Sequence, residues 1–234
     1  MKSLVLGLCL AVLATGVFAA EKAKDASGPN TLTRAEKAAG WKLLFDGKTT
    51  NGWRGFKTPE PDEGWRVVNG ALGPDPKTSK DLVTKQQFEN FELTFDWKIS
   101  PKGNSGVMFH VTDVGDETYE SGPEYQILDN AHGEAPPERA GALYALYAPS
   151  RDMPLPVGEF NHARIVVNHG KVQHWLNGVK VVEYEIGSPD FKARVAASKF
   201  KRWPQFASGK TGSIALQNHG NEVWFQNIKI KILK

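Results

Sequence analysis

One stretch limits the fold more than any other: FELTFDWKIS, from Phe91 to Ser100. Phe91, Leu93, Phe95, Trp97 and Ile99 alternate without a break with Glu92, Thr94, Asp96, Lys98 and Ser100. Side chains of a strand point to opposite faces in turn, whereas a helix would scatter both sets around its axis. The stretch is therefore a strand with one buried and one wet face. From Trp41 onward, short runs rich in Val, Ile, Phe and Trp are punctuated by Gly, Asn, Asp and Pro. Turn signals at intervals of about eight to twelve residues predict an all-β sandwich.

The turn chemistry agrees. Asp46-Gly47 and Asn51-Gly52 are turn formers, and Asn69-Gly70 between Val68 and Ala71 predicts a two-residue hairpin loop with positive φ. Residues 161–186 read as three strands joined by tight turns at Asn168 to Gly170 and at Asn177-Gly178. That register would pair Leu176 with Val179 and His174 with Val181, placing His174 among apolar residues. Thr33 followed by Glu36 is a capping-box pattern for a short N-terminal helix ended by Gly40. One or two helical turns are expected around Phe191 to Ser198. No repeat, linker or composition break occurs after residue 40, so 41–234 is expected to be one β-sandwich domain.

Lys2 followed by an apolar run and then Val17-Phe18-Ala19 has the form of a secretory signal peptide spanning 1–19, cleaved after Ala19. The run is too short to span a bilayer. Periplasmic or secreted localisation follows as an expectation. Residues 20–30 read as a disordered spacer. Cys9, the single cysteine, lies inside the signal, so the mature chain would hold neither disulfide nor thiolate. A net charge of +3 with only the interrupted cluster Lys199, Lys201, Arg202 offers no nucleic-acid surface. Nothing points to an obligate protein partner.

Chemistry concentrates between Asn104 and Asp129, read as two strands joined by an acidic loop. Regular alternation puts Ser105, Val107, Phe109 and Val111 on one face, and Gly106, Met108 and His110 on the other. It likewise puts Glu124 and Gln126 opposite Tyr125 and Ile127. His110, Glu124 and Gln126 would then look out of one sheet surface. His110, Glu124 and Asp129 each also have an ordinary explanation: a satisfied strand histidine, a solvated edge carboxylate and the start of a turn. Glu124 and Asp129 fall on opposite faces, which disfavours a two-carboxylate glycosidase pair. No recognised zinc spacing, nucleophile elbow or Gly-rich phosphate loop occurs. The Pro-rich stretch 131–160 contains Tyr144 and Tyr147, which argue for an ordered wall over disorder.

The series LFDGKTTNGW, GWRVVNGAL, FELTFDWKIS, NSGVMFHV, GPEYQILD, PVGEFNHARIVV, HWLNGVKVVEYE, GSIALQNHG and VWFQNIKIKIL resembles the 3-keto-disaccharide hydrolase domain family, formerly the domain of unknown function DUF1080. The likeness runs from about Trp41 to Leu233. It implies a concanavalin A-like jelly-roll β-sandwich and cleavage of glycosides already oxidised at C3, by hydrolysis or by 1,2-elimination and hydration. A C3 ketone acidifies the C2 hydrogen. Such an enzyme needs a base, an acid for the leaving oxygen, and a cation, hydrogen-bond donors or a divalent metal ion to hold the enolate charge.

Carried onto the matching positions, the resemblance implies Glu124 and His110 as base and as metal or enolate contact, supported by Gln126. Asp129 and His219 become substrate contacts, and Tyr147 and Lys199 walls of the pocket. Many members carry Arg in place of His110, so charge stabilisation by a cation and by a metal both stay open. The alternative within the same fold is a non-catalytic carbohydrate-binding module.

Overall fold

The structure, a computed structural model, describes residues 28–132 and 135–234. The expected signal peptide, with Cys9, lies outside the described residues. In chain order the strands are β1 (Trp41–Leu43), β2 (Trp53–Gly55), β3 (Arg66–Val68), β4 (Ala71–Gly73), β5 (Leu82–Thr84), β6 (Phe91–Ile99), β7 (Asn104–Val111), β8 (Glu124–Leu128), β9 (Asn161–Asn168), β10 (Lys171–Leu176), β11 (Val179–Glu185), β12 (Ser213–Leu216) and β13 (Val223–Ile232). Helices α1 (Arg34–Ala38) and α2 (Pro189–Ala197) complete the regular elements used below.

Two antiparallel sheets form the jelly-roll sandwich. One runs β11-β10-β9-β6-β13-β4-β3 with β1 also on β13, and the other runs β2-β5-β12-β7-β8. Strand β6 lies inside the larger sheet, and its buried face is the one its alternation predicted: Phe91, Leu93, Phe95, Trp97 and Ile99 are all within the core. Val107, Phe109, Tyr125, Ile127, Ile214 and Leu216 meet them from the smaller sheet. Each such side chain contributes about 1.5–3 kcal/mol by leaving water.

Local chemistry sets the turns. Asn69 and Gly70 have φ of 51° and 78°, and Asn177 and Gly178 have 49° and 83°, the left-handed pairs that a tight hairpin of this hand requires. Leu176 pairs with Val179 as expected, but a bulge after His174 sets it opposite Val182 instead of Val181. His174 is fully buried, and burial depresses its pKa to about 4.

The capping box closes at both ends. Thr33 Oγ1 accepts from the Glu36 backbone N–H at 3.0 Å, and Glu36 Oε2 accepts from the Thr33 backbone N–H at 2.8 Å. The expected spacer is ordered at its described end. Asn30 Nδ2 donates to Gly70 O, its backbone N–H donates to Asn227 Oδ1, and its own Oδ1 accepts from the Asn227 backbone N–H. Polar groups with three such partners stay put. Among the described residues no helix is long and apolar enough to cross a membrane.

Candidate active site

The face of the smaller sheet turned away from the core carries the site. Across β5, β12, β7 and β8 the residues Val83, Ala215, Met108 and Glu124 stand in register. The next row places Gly106 opposite Gln126, and the Gln217 backbone N–H donates to Gly106 O at 3.0 Å. An apolar floor of Phe56, Val83, Met108, Val111 and Ala215 surrounds the polar end, with Tyr119 packed over it. As alternation predicted, Glu124 and Gln126 share this face while Tyr125 and Ile127 enter the core.

The Pro-rich stretch builds a wall by pairing with β8. Gln126 N–H donates to Ala142 O at 3.1 Å, Gly141 N–H to Gln126 O at 2.8 Å, and Tyr144 N–H to Glu124 O at 3.1 Å. These bonds satisfy the edge that β8 would otherwise expose and set Tyr144 beside Glu124. The resulting cavity, about 150 Å³, is lined by Asn104, Tyr119, Glu124, Tyr144, Lys199, Gln217 and His219. That is small beside the roughly 300–1,000 Å³ of pockets for drug-sized ligands. It has room for the reacting end of a substrate. Larger depressions of about 420 Å³ lie near Trp97 and Asp129 and near His110, away from this polar cluster.

Glu124 dominates the electrostatics. Only 6% of its surface is exposed, and no hydrogen bond from the described residues reaches its carboxyl. Burial pushes its pKa up to about 8; Lys199 opposes the shift and the charge of Asp81 adds to it. The Lys199 ammonium lies 4.5 Å from the centre of the Tyr144 ring and 5.4 Å from that of Tyr119. The two π faces hold the cation over the cavity mouth. Below, Gln126 Nε2 donates to Asn104 Oδ1 at 3.2 Å, while Oε1 of Gln126 and Oε1 of Gln217 are buried without a partner among the described residues.

His110 does not join Glu124. It has a φ of 54°, and the pairing of β7 with β12 shifts register between Ser213 and Ala215, so a bulge breaks the alternation just before the end of β7. Val111 is thereby moved to the outer face, into the apolar floor. The His110 ring turns inward onto Phe91 and Phe109, its Nε2–H donating to Glu89 O at 2.8 Å, and borders a separate cavity with His169 and Lys210. Burial lowers its pKa. The expected metal pair His110 and Glu124 therefore does not fit a shared ion, and no group of three His, Cys, Asp or Glu suited to a metal occurs among the described residues.

Two other expected contacts are elsewhere. Asp129 accepts from the Lys102 and Ala131 backbone N–H groups, as a turn carboxylate does, and lines the depression near Trp97. Tyr147 stacks on Tyr184 at 5.2 Å and donates to Asp190 at 2.6 Å, docking α2; Tyr144 takes the wall position instead. Lys199 and His219 do line the Glu124 cavity, and Gln126 lies beneath it. Sequence reasoning missed Asn104, Tyr119 and Gln217 altogether. Asn104 carried a usable signal, a polar residue at the start of β7 two positions before Gly106, whereas Gln217 is brought to Gly106 only by the fold.

The chain as a whole is similar to known proteins. A curated 3-keto-disaccharide hydrolase of Bacteroides thetaiotaomicron is 35% identical over 179 residues, which cover 65% of this chain and 62% of that relative. The chain thus spans less than two thirds of that relative's length. A Parabacteroides distasonis crystal structure, provisionally named a glycosyl hydrolase, superposes with a TM-score of 0.82 at 35% identity, covering 88% of this chain and all of that one. A second structure from the same organism, named in the same provisional way, gives 0.64 at 28% identity over 82% of this chain and 99% of that one. With the family pattern matched over residues 40–231, the chain belongs to the 3-keto-alpha-glucoside-1,2-lyase-like domain family.

Proposed function

We propose that the protein cleaves glycosides whose sugar ring carries a ketone at C3, with Glu124 as the base that removes the C2 proton. The observation that carries this reading is a buried carboxyl, without a hydrogen bond from the described residues and with its pKa raised to about 8, facing a small polar cavity beside a lysine. A carboxylate in that state is a far stronger base than one in water. Family membership and the hydrolase relative support the substrate class.

The steps balance without a nucleophile. Glu124 takes the C2 proton, and the C2–H electrons pass into an enolate on the C3 oxygen. The Lys199 ammonium is the nearest positive charge for that oxygen. Collapse of the enolate forms the C1–C2 double bond and expels the C1 oxygen, protonated from the His219 or Tyr119 side of the cavity. Water then adds at C1, its proton going back to the group that protonated the leaving oxygen, and Glu124 returns its own proton to C2. The reading includes export, with the reaction in the periplasm or outside the cell; a mature chain beginning at Met1 would overturn that part.

The test is incubation with 3-keto-trehalose or a 3-keto-glucoside and their unoxidised counterparts, with and without EDTA. Turnover confined to the oxidised sugars, and lost in Glu124→Gln, is expected. Saturable binding without product from either sugar would instead indicate a carbohydrate-binding module.

A further inference from the structure

Asp81 immediately precedes β5. Its carboxylate joins two segments distant in sequence. Thr118 Oγ1 donates to Asp81 Oδ2, and the Asn218 backbone N–H donates to Asp81 Oδ1 at 2.9 Å. Thr118, fully buried, is followed by Tyr119; Asn218 is followed by His219; and Tyr119 and His219 both line the Glu124 cavity. Asn218 is gripped from its other end as well, its Nδ2 donating to Ser79 O at 2.8 Å.

We propose that Asp81 is a positioning residue of the cleft: one carboxylate ties the Thr118 and Asn218 segments together and so fixes the separation of the Tyr119 and His219 walls over Glu124. This rests on the reading of Glu124 as the base. The sheet explains why the position suits the task. Leu82 pairs with Leu216, so the start of β5 and the end of β12 lie side by side, and Thr118, opening the turn Thr118–Glu120, reaches this corner through its bond to Asp81.

The same carboxylate acts on Glu124 through space. Burial raises the Asp81 pKa to about 6, the Thr118 and Asn218 bonds oppose this, and Glu117 adds to it. Above that pH Asp81 is an anion whose field makes Glu124 hold its proton more tightly. The charged and titratable groups around the pair are Lys199 after α2, Tyr119, Glu117 and Glu120 on the loop after β7, and His219 after β12.

Two substitutions separate tie from charge. Asp81→Asn can still accept from Asn218 N–H and donate to Thr118 Oγ1, but carries no charge. Thr118→Val keeps the charge and cuts one bond. The Glu124 titration midpoint, read from its carboxyl carbon by ¹³C NMR, should fall by about half a unit in Asp81→Asn and stay within about 0.2 in Thr118→Val, in line with loss of one nearby like charge. KM for the 3-keto-glucoside should rise about tenfold in Thr118→Val, the size of one lost buried hydrogen bond, with kcat changed less. An unmoved KM in Thr118→Val would overturn the positioning role, and an unmoved midpoint in Asp81→Asn would overturn the action of its charge on Glu124. An inactive wild type, or a fully active Glu124→Gln, would defeat the functional reading; the affinity of wild type and Thr118→Val for the 3-keto-glucoside, read by titration calorimetry without turnover, then judges the tie, equal affinities overturning it.

Discussion

A Cβ built on Gly106 would fall 2.2 Å from Oε1 of Glu124 and 2.8 Å from its Cγ and Cδ. The carboxylate of β8 therefore lies against bare backbone of β7, and the glycine makes the space it occupies. Gly106→Ala should push the side chain aside and lower kcat at least about tenfold, as misplacement of a reacting group does. The melting temperature should change by only a few degrees, since the displaced group is the end of a flexible chain; an active Gly106→Ala enzyme would show that Glu124 need not sit there.

Removing the acid should cost activity and gain stability. Glu124→Gln is expected to lower turnover at least about a hundredfold. The folded pKa of about 8 lies above the unfolded value near 4.5, so the native state loses stability as pH rises from the lower value through the upper one. At pH 8 the glutamine variant should melt at least about 3 °C above wild type, close to 1 kcal/mol for a chain of this size. Near pH 4 that advantage should vanish, and calorimetry at both pH values checks the sign.

The rate should follow the same ionisation. At pH 7, one unit below the Glu124 pKa, only about a tenth of the enzyme carries the carboxylate. The kcat/KM for a 3-keto-glucoside should climb with pH and level off above about 8. Lys199 is the neighbour that opposes the upward shift, so Lys199→Met should move the climb to higher pH and lower the plateau, by about 10²–10³-fold if the ammonium is the main charge stabiliser.

His110 should behave as a core residue. His110→Ala removes ring packing against Phe91 and Phe109 and the bond to Glu89 O. A loss of about 2–4 kcal/mol is expected in denaturant unfolding, with kcat within about threefold of wild type. Gly212→Ala should be at least as harmful, because its Cβ would meet backbone atoms of His110 at 2.3 Å.

Alternation made most of the fold legible. It located the buried face of β6, and it set Glu124 and Gln126 apart from Tyr125 and Ile127. It failed where the backbone departs from the period of two. Nothing in NSGVMFHV announces that His110 will take a left-handed conformation, because the partner lies just before β12, where Gly212 lets the bulge approach. The bulge after His174 is equally silent. Asp81 follows Ser79 and Lys80 with nothing local to mark it, and only the sheets bring Thr118 and Asn218 to it. Tyr144 and Tyr147 could not be ranked by composition; the bridge of Tyr144 N–H to Glu124 O, a contact across the fold, decides between them.

The clasp between Asn30 and Asn227 has a practical side. Gly28 and Pro29 lie with Thr94, Asp96, His162 and Lys229 on the outer surface of the larger sheet, whereas Glu124 opens from the outer surface of the smaller one. Gly28 itself thus sits at the back of the molecule. A surface attachment made at Gly28 would leave the cleft pointing toward solution, ready for soluble sugars.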